Sequence, residues 1–160
     1  MDTVASRAHR MRQCGRKAAR HLLRTGAAPA VRYGCVVVGA PNGLVQRARR
    51  FACSVEGNMR GRSAFGRTQL SGYDLGGQMA LDPLLAWSHA VWDAFVPTQQ
   101  LHLAWRYAVR TVALAAQPFS KVSGPAGAAV ASAQRLGWKL VQHHDGGFVM
   151  MQDGQVADMQ

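Results

Sequence analysis

Apolar positions recur at helical spacing through most of this chain, with polar residues gathered between them on the opposite faces. Val4, Ala8, Met11, Ala18 and Leu22 predict a helix over residues 4–24, with Arg12, Arg16, Lys17, Arg20 and Arg24 on its other side. Gly15 weakens that helix without stopping it, and Thr25-Gly26 is expected to end it. Residues 29–39 are ambiguous. The run Cys35-Val36-Val37-Val38 favours strand, whereas Pro29 suits a first helical turn. Asn42 can cap a helix over 43–55 whose apolar face holds Leu44, Ala48, Phe51 and Val55.

A Gly- and Arg-rich loop is expected over 57–67, and further loop over 68–81 around SGYDLGG. Asp82-Pro83 then suits a helix start, with Leu84, Leu85, Trp87, Ala90, Val91, Trp92 and Phe95 following. Pro97-Thr98 breaks the pattern and opens a helix to about residue 116, burying Leu101, Trp105, Ala108, Val109 and Val112. The short break predicts an αα-hairpin. Pro118 ends that pair, and Gly124-Pro125 opens an Ala-rich helix closed by Leu136-Gly137. Two apolar runs, 138–143 and 148–152, flank Asp145-Gly146-Gly147 and predict a hairpin. The expected fold is therefore mainly α: a small helical bundle with a short C-terminal β-hairpin. It divides into a basic helical region, 1–67, and a helical region ending in the hairpin, 82–152.

Composition agrees with a helical, small-residue core: 48% of the 160 residues are hydrophobic, yet only 8% are aromatic. The length suits one compact domain or a piece of a larger protein. Cys14, Cys35 and Cys53 are odd in number, widely spaced and without a CxxC pair, which argues against a disulfide framework. They are read as small apolar residues in a reducing compartment. No apolar run approaches the ~20 residues of a membrane span, and no secretory signal is visible. The expected location is intracellular, nuclear or cytoplasmic. The Arg-rich amphipathic segment 3–24 also resembles a mitochondrial presequence in composition, which is the alternative.

Charge changes the picture most. Up to Arg67 there are 13 Arg and 1 Lys against 2 acids, Asp2 and Glu56, whereas beyond it 5 basic residues face 6 acidic ones. A field this lopsided points to a polyanion at one end of the molecule, and the bias to Arg favours bidentate phosphate contacts. The expected contacts are Arg12, Arg16, Arg20, Arg24, Arg47, Arg50, Arg60, Arg62 and Arg67, each donating to phosphate without reading sequence. The expected partner is RNA or an RNA–DNA duplex, bound without sequence preference, with no membrane involved.

Catalytic chemistry is hard to find. Phosphoryl transfer by metal ions needs converging carboxylates, but Glu56 is the only Glu and the Asp residues are scattered. His143-His144, as strand neighbours, point to opposite faces and do not suit one metal. His89 and His102 lie on separate helices and read as packed or surface residues. No P-loop and no GxSxG is present. The expectation is no catalytic residue, no metal and no cofactor. Trp87, Trp92 and Trp105 sit at helical spacing within apolar faces and are expected to pack in the core rather than stack on bases.

Three stretches together resemble a known family. RTGAAPAVRYGCVVVGAPN, followed by an Arg-rich helix, resembles the segment just after the polymerase palm in non-LTR (LINE-type) retrotransposon reverse transcriptases, with Tyr33-Gly34 and Arg49-Arg50 matching. DPLLAWSHAVW and SGPAGAAVASAQRLGW resemble the downstream connecting region of protist, especially dinoflagellate, retroelement polyproteins. The likeness covers roughly residues 7–150, and the order and spacing of these motifs carry it. It implies a thumb and post-thumb piece that grips a template–primer duplex, lacking the fingers and palm, with 31–39 helical. The polymerase aspartates and the carboxylates of a ribonuclease H are missing, so the parent reaction, RNA-directed DNA synthesis, does not transfer to this chain.

The first expectation is therefore a non-catalytic reverse-transcriptase fragment that contacts nucleic-acid backbone. The alternatives are an organelle-targeted RNA-binding or ribosomal protein, and a decayed reading frame without selected function. Residues 82–136 are expected to carry the folding stability, Trp92 included, and residues 1–25 to be a binding layer separable from the fold.

Overall fold

The computed structural model describes residues 2–56, 63–143, 146–150 and 156–157, with side-chain surroundings for 6–55, 63–66, 68 and 71–138. Its architecture is mainly α. The helices are α1 (Asp2–Gln13), α2 (Arg16–Leu22), α3 (Ala28–Arg32), α4 (Cys35–Val38), α5 (Asn42–Glu56), α6 (Ala64–Ser71), α7 (Leu75–Trp92), α8 (Thr98–Ala108) and α9 (Gly124–Arg135). A π turn, Leu23–Ala27, joins α2 to α3, and another, Val109–Ala113, extends α8. Beyond α9, the backbone of Lys139–His143 pairs antiparallel with that of Gly146–Met150, Val141 opposite Phe148. Two compact units result: Met1–Tyr33 with Pro41–Met79, and Gly34–Ala40 with Ala80–Gln160.

In the first unit α1, α2 and α5 pack on one another, and α6 packs on α5. Its beginning differs from the sequence expectation. Gly15 adopts φ 84°, ψ 158°, a region essentially closed to side-chain-bearing residues, and splits the expected single helix into α1 and α2. Ala8 is buried in α1, but in the next helix Ala19 and Leu23 are buried, while Ala18 and Leu22 are exposed.

Thr25-Gly26 does not end that helix. The ladder widens instead: the Ala28 N–H reaches back five residues to the Leu23 carbonyl, and the Thr25 hydroxyl donates to the His21 carbonyl at 2.8 Å. Widening just before Pro29, which has no N–H to give, lets the helix continue to Arg32. The stop falls at Tyr33-Gly34, where Gly34 is left-handed at φ 83°. The ambiguous stretch is thus helical on both sides of that turn, and Cys35–Val38 is one helical turn rather than a strand. Cys35 is buried there, whereas Cys14 is exposed, contrary to its reading as a small apolar filler.

Asn42 is not the cap of α5. The first N–H groups, of Leu44 and Val45, donate to the Pro41 carbonyl at 2.8 and 3.1 Å. Of the expected face, Ala48, Phe51 and Val55 are buried and Leu44 is half-buried; Val45 and Ala52 join the buried side.

Most of the loop expected over 68–81 is helix, 68–71 in α6 and 75–81 in α7. Ser63 caps α6, its hydroxyl accepting from the Gly66 N–H at 3.1 Å. Gly72 ends α6 in the left-handed region, and α7 begins at Leu75. Asp82-Pro83 therefore lies inside α7, where both residues are buried. The cause is Asp74. Its carbonyl accepts from the Gln78 N–H at 2.9 Å, and its carboxylate accepts from the Gly77 and Gly76 N–H groups, so it caps a helix that starts seven residues before the Asp-Pro signal.

The second unit is centred on α9, which packs against α4 and α8. Residues 126–133 of α9 are all buried, because their small side chains let neighbouring helices approach on every side. Trp87 of α7 and Trp105 of α8 stack with ring centroids 5.6 Å apart, over Leu101, Ala108, Val112 and Val130. The segment before Pro41 is pinned to this unit. Gly39, at φ 71°, leaves room for the Phe119 ring, which would lie 3.1 Å from a Cβ. Arg135 stacks on that ring at 4.3 Å and donates to the Ala40 carbonyl.

Trp92 corrects the expected core: it is 89% exposed, and Phe95, Leu85 and Val91 are exposed as well, whereas Trp87 is only 8% exposed. Trp92 follows Trp87 by five residues, about 140° around a helix of 3.6 residues per turn, so both cannot face the same core.

Candidate nucleic-acid interface

The arginines of the first unit fall into two groups. One is held by protein partners. Arg49 on α5 points inward to Asp74: Nε donates to Oδ1 at 3.0 Å and Nη2 to Oδ2 at 2.8 Å, a two-point ion pair on largely buried side chains. Its guanidinium also lies 5.2 Å from the Phe65 ring centroid. Burial pushes the Asp74 carboxyl up, but the Arg49 hydrogen bond, the Gly77 and Gly76 N–H groups and the Arg49 charge together hold it below its ordinary value. The crossing of α5 and α7 at this point requires glycine. A Cβ on Gly76 would stand 2.7 Å from the Val45 carbonyl and 2.8 Å from Arg49 Cγ, and one on Gly77 would meet the Asp74 carboxylate at 2.7 Å. Arg32 is likewise engaged, donating to Gln78 Oε1 at 3.3 Å.

The other group faces solvent. Arg12 on α1, Arg16 on α2, and Arg47 and Arg50 on α5 are exposed, as expected for phosphate contacts. Arg47 and Arg50 are three residues apart and share the solvent side of α5, opposite Ala48, Ala52 and Val55. Arg47 Nε donates to the Gly43 carbonyl at 3.3 Å, leaving its remaining N–H groups for an anion. Because α1, α2 and α5 pack together, these four cations sit on one three-helix assembly.

Arg20 is half-buried and so is a poorer phosphate contact than its helical spacing suggested. Arg24 is exposed, but its guanidinium lies over the Tyr73 ring at 4.9 Å. Arg60 and Arg62 lie outside the described residues. Arg67 is on α6, where its side chain is not described. Sequence reasoning passed over Arg7, Arg10 and Lys17, which are exposed on the same helices and carry the same charge.

Among the described residues, no group of three or more His, Cys, Asp or Glu is placed to hold a metal ion. His89 and His102 are exposed. His143-His144 falls partly outside the described residues. No described helix is long and apolar enough to cross a membrane. The charge follows the two units: the first holds 14 basic and 3 acidic side chains, the second 5 of each.

No protein-family model matches the chain, and no curated protein or solved structure matches it either.

Proposed function

We propose that this chain is a non-catalytic, thumb-like piece of a retroelement reverse transcriptase whose first unit contacts the phosphate backbone of a template–primer duplex, RNA or RNA–DNA. One observation carries the reading. Arg49 and Arg32 are taken up by Asp74 and Gln78 and Arg20 is half-buried, yet Arg7, Arg10, Arg12, Arg16, Lys17, Arg47 and Arg50 of α1, α2 and α5 face solvent on one helical assembly, with no acidic residue interleaved on α5 before Glu56. A solvated helix face of a typical protein mixes both signs, whereas a surface that meets a polyanion does not. Arg on helices, each reaching one phosphate, gives positioning without base readout, as a partner of varying sequence demands. The family assignment rests on the motif order of RTGAAPAVRYGCVVVGAPN, DPLLAWSHAVW and SGPAGAAVASAQRLGW. The fingers and palm would be the missing partner, supplying the catalytic metal site.

The test is titration of the full chain with an RNA–DNA hybrid over a range of salt concentrations. Binding should weaken steeply with salt and vary little with sequence. Replacing Arg12, Arg16, Arg47 and Arg50 together with Ala should flatten the log–log salt slope by about 3–4, near 0.9 per lost contact. An unchanged slope in that variant would remove this surface from consideration.

A further inference from the structure

We infer that Phe65 on α6 is a stacking platform for one unpaired nucleobase, so that the first unit also holds a strand where it leaves the duplex. The inference rests on the nucleic-acid reading above and goes beyond it, since phosphate contacts alone do not engage the bases. Ser63 caps α6 through the Gly66 N–H at 3.1 Å, and the Cys53 thiol of α5 donates to the Ala64 carbonyl at 3.4 Å, so the first turn of α6 is tied to α5. The Phe65 ring then lies against the Arg49 guanidinium, 5.2 Å from ring centroid to the guanidinium carbon. Asp74 grips that guanidinium along its edge, at 2.8 to 3.2 Å. Hydrogen bonds to a carboxylate lie in the guanidinium plane, which leaves the face of the plane for the ring. One side of the ring is thus seated on an anchored cation, and Phe65 is still 52% exposed. A side chain held this way has little freedom left to lose when a flat partner covers its open side.

Charge identifies that partner. Arg47 and Arg50 flank Arg49 on α5 and are exposed. The sequence from Gly57 to Tyr73 adds Arg60, Arg62 and Arg67 and no acid. Asp74 is paired with Arg49, and Glu56, the acid of α5, is seven residues beyond Arg49, about 10 Å along the helix. An apolar protein surface would cover the ring and leave these cations unanswered. A nucleotide brings a π-face and a phosphate together, which suits an aromatic ring set among arginines. Bases paired within a duplex are stacked on one another and offer no free face, so the base comes from a single-stranded segment or end. Stacking accepts any of the bases, in keeping with backbone contacts that read no sequence.

The test compares two labelled probes: an RNA–DNA hybrid with a short single-stranded overhang, and the same hybrid with an abasic overhang. Both carry the same phosphates, so both should show the same salt slope. The full chain should prefer the probe with bases by about 5- to 150-fold, the contribution of one base–aromatic stack, at every salt concentration. Phe65→Leu still covers Arg49 but has no flat face. It should bring that ratio close to one, with the salt slope and the far-UV circular dichroism unchanged, whereas Phe65→Tyr should retain the preference. Photocross-linking needs no variant: an overhang carrying thiouracil should attach to the parent chain within the tryptic peptide Ser63–Arg67. A parent that binds both probes equally, a folded Phe65→Leu that keeps the preference, or adducts found only elsewhere would overturn this inference and leave the phosphate surface standing. A parent that binds neither probe would remove the nucleic-acid reading itself, and this inference with it.

Discussion

Asp74 does two jobs with one carboxylate. It caps α7 through the Gly76 and Gly77 N–H groups, and it neutralises the inward-facing Arg49. The two jobs separate by mutation. Asp74→Asn keeps a capping oxygen but loses the charge, whereas Arg49→Ala leaves the carboxylate with its cap alone. Each should cost about 1.5–3 kcal/mol, the range for a hydrogen bond to a charged group on largely buried partners. The pH dependence follows from the depressed Asp74 carboxyl. Its contribution is complete above the unfolded-state value, near 4, and is lost as pH falls through the lower folded-state value. Urea titrations of parent and Asp74→Asn should therefore differ most at pH 6 and converge below pH 4; a gap that widens on acidification would contradict the pairing. Little of this was legible beforehand. Arg49 reads like Arg47 and Arg50 in the sequence, because solvent-facing and buried arginines differ only in what folds back onto them. Asp74 lies twenty-five positions away, inside a Gly-rich stretch that resembles a loop. The apolar face of α5 was legible, since helical spacing alone fixes which residues turn inward.

At the level of elements, glycine conformation decided where the sequence reading held. Gly137 closes α9 at φ 79°, as its position after Leu136 suggested. Gly15 ends α1, though helix propensity treats a mid-helix glycine as a cost of only about 1 kcal/mol. Propensity counts the expense of keeping glycine helical and says nothing of the conformations that glycine alone can adopt. Conversely, Gly26 sits within a helix because the π turn absorbs it. Gly15→Ala tests this. Nothing stands within 4 Å of the added Cβ, so the whole effect comes from backbone strain. The variant should lose about 1–3 kcal/mol in chemical denaturation. A neutral or stabilising Gly15→Ala would mean that α1 and α2 can fuse into the single helix that the periodicity suggests.

For the whole molecule, residues 82–136 hold a buried core as expected, but the N-terminal segment expected to be a separable binding layer is packed into a core of its own. Residues 1–25 were expected to be separable, burying mainly Ala and Leu. They do bury such residues, but Ala8, Ala19 and Leu23 are each at most 2% exposed, and α1 and α2 pack on α5. The cations at Arg12 and Arg16 are thus presented by helices that belong to the core of the first unit, and binding and stability share the same elements. Composition could not reveal this, because a basic amphipathic helix docked on a protein has the same pattern as a leader or a free arm. Deleting residues 1–25 should therefore destabilise the first unit. Leu23 alone places a fully buried leucine at stake, and leucine-to-alanine changes at such sites cost about 2–5 kcal/mol. Trp87→Ala should act on the second unit instead, removing one ring of the stack on Trp105 at about 3–5 kcal/mol. Amide exchange resolved along the chain separates the two. The deletion should speed exchange in α5 and spare α9, and Trp87→Ala should do the opposite. If α5 keeps its protection after the deletion, the N-terminal helices are a dispensable layer after all, and the leader-like reading of residues 3–24 regains its ground.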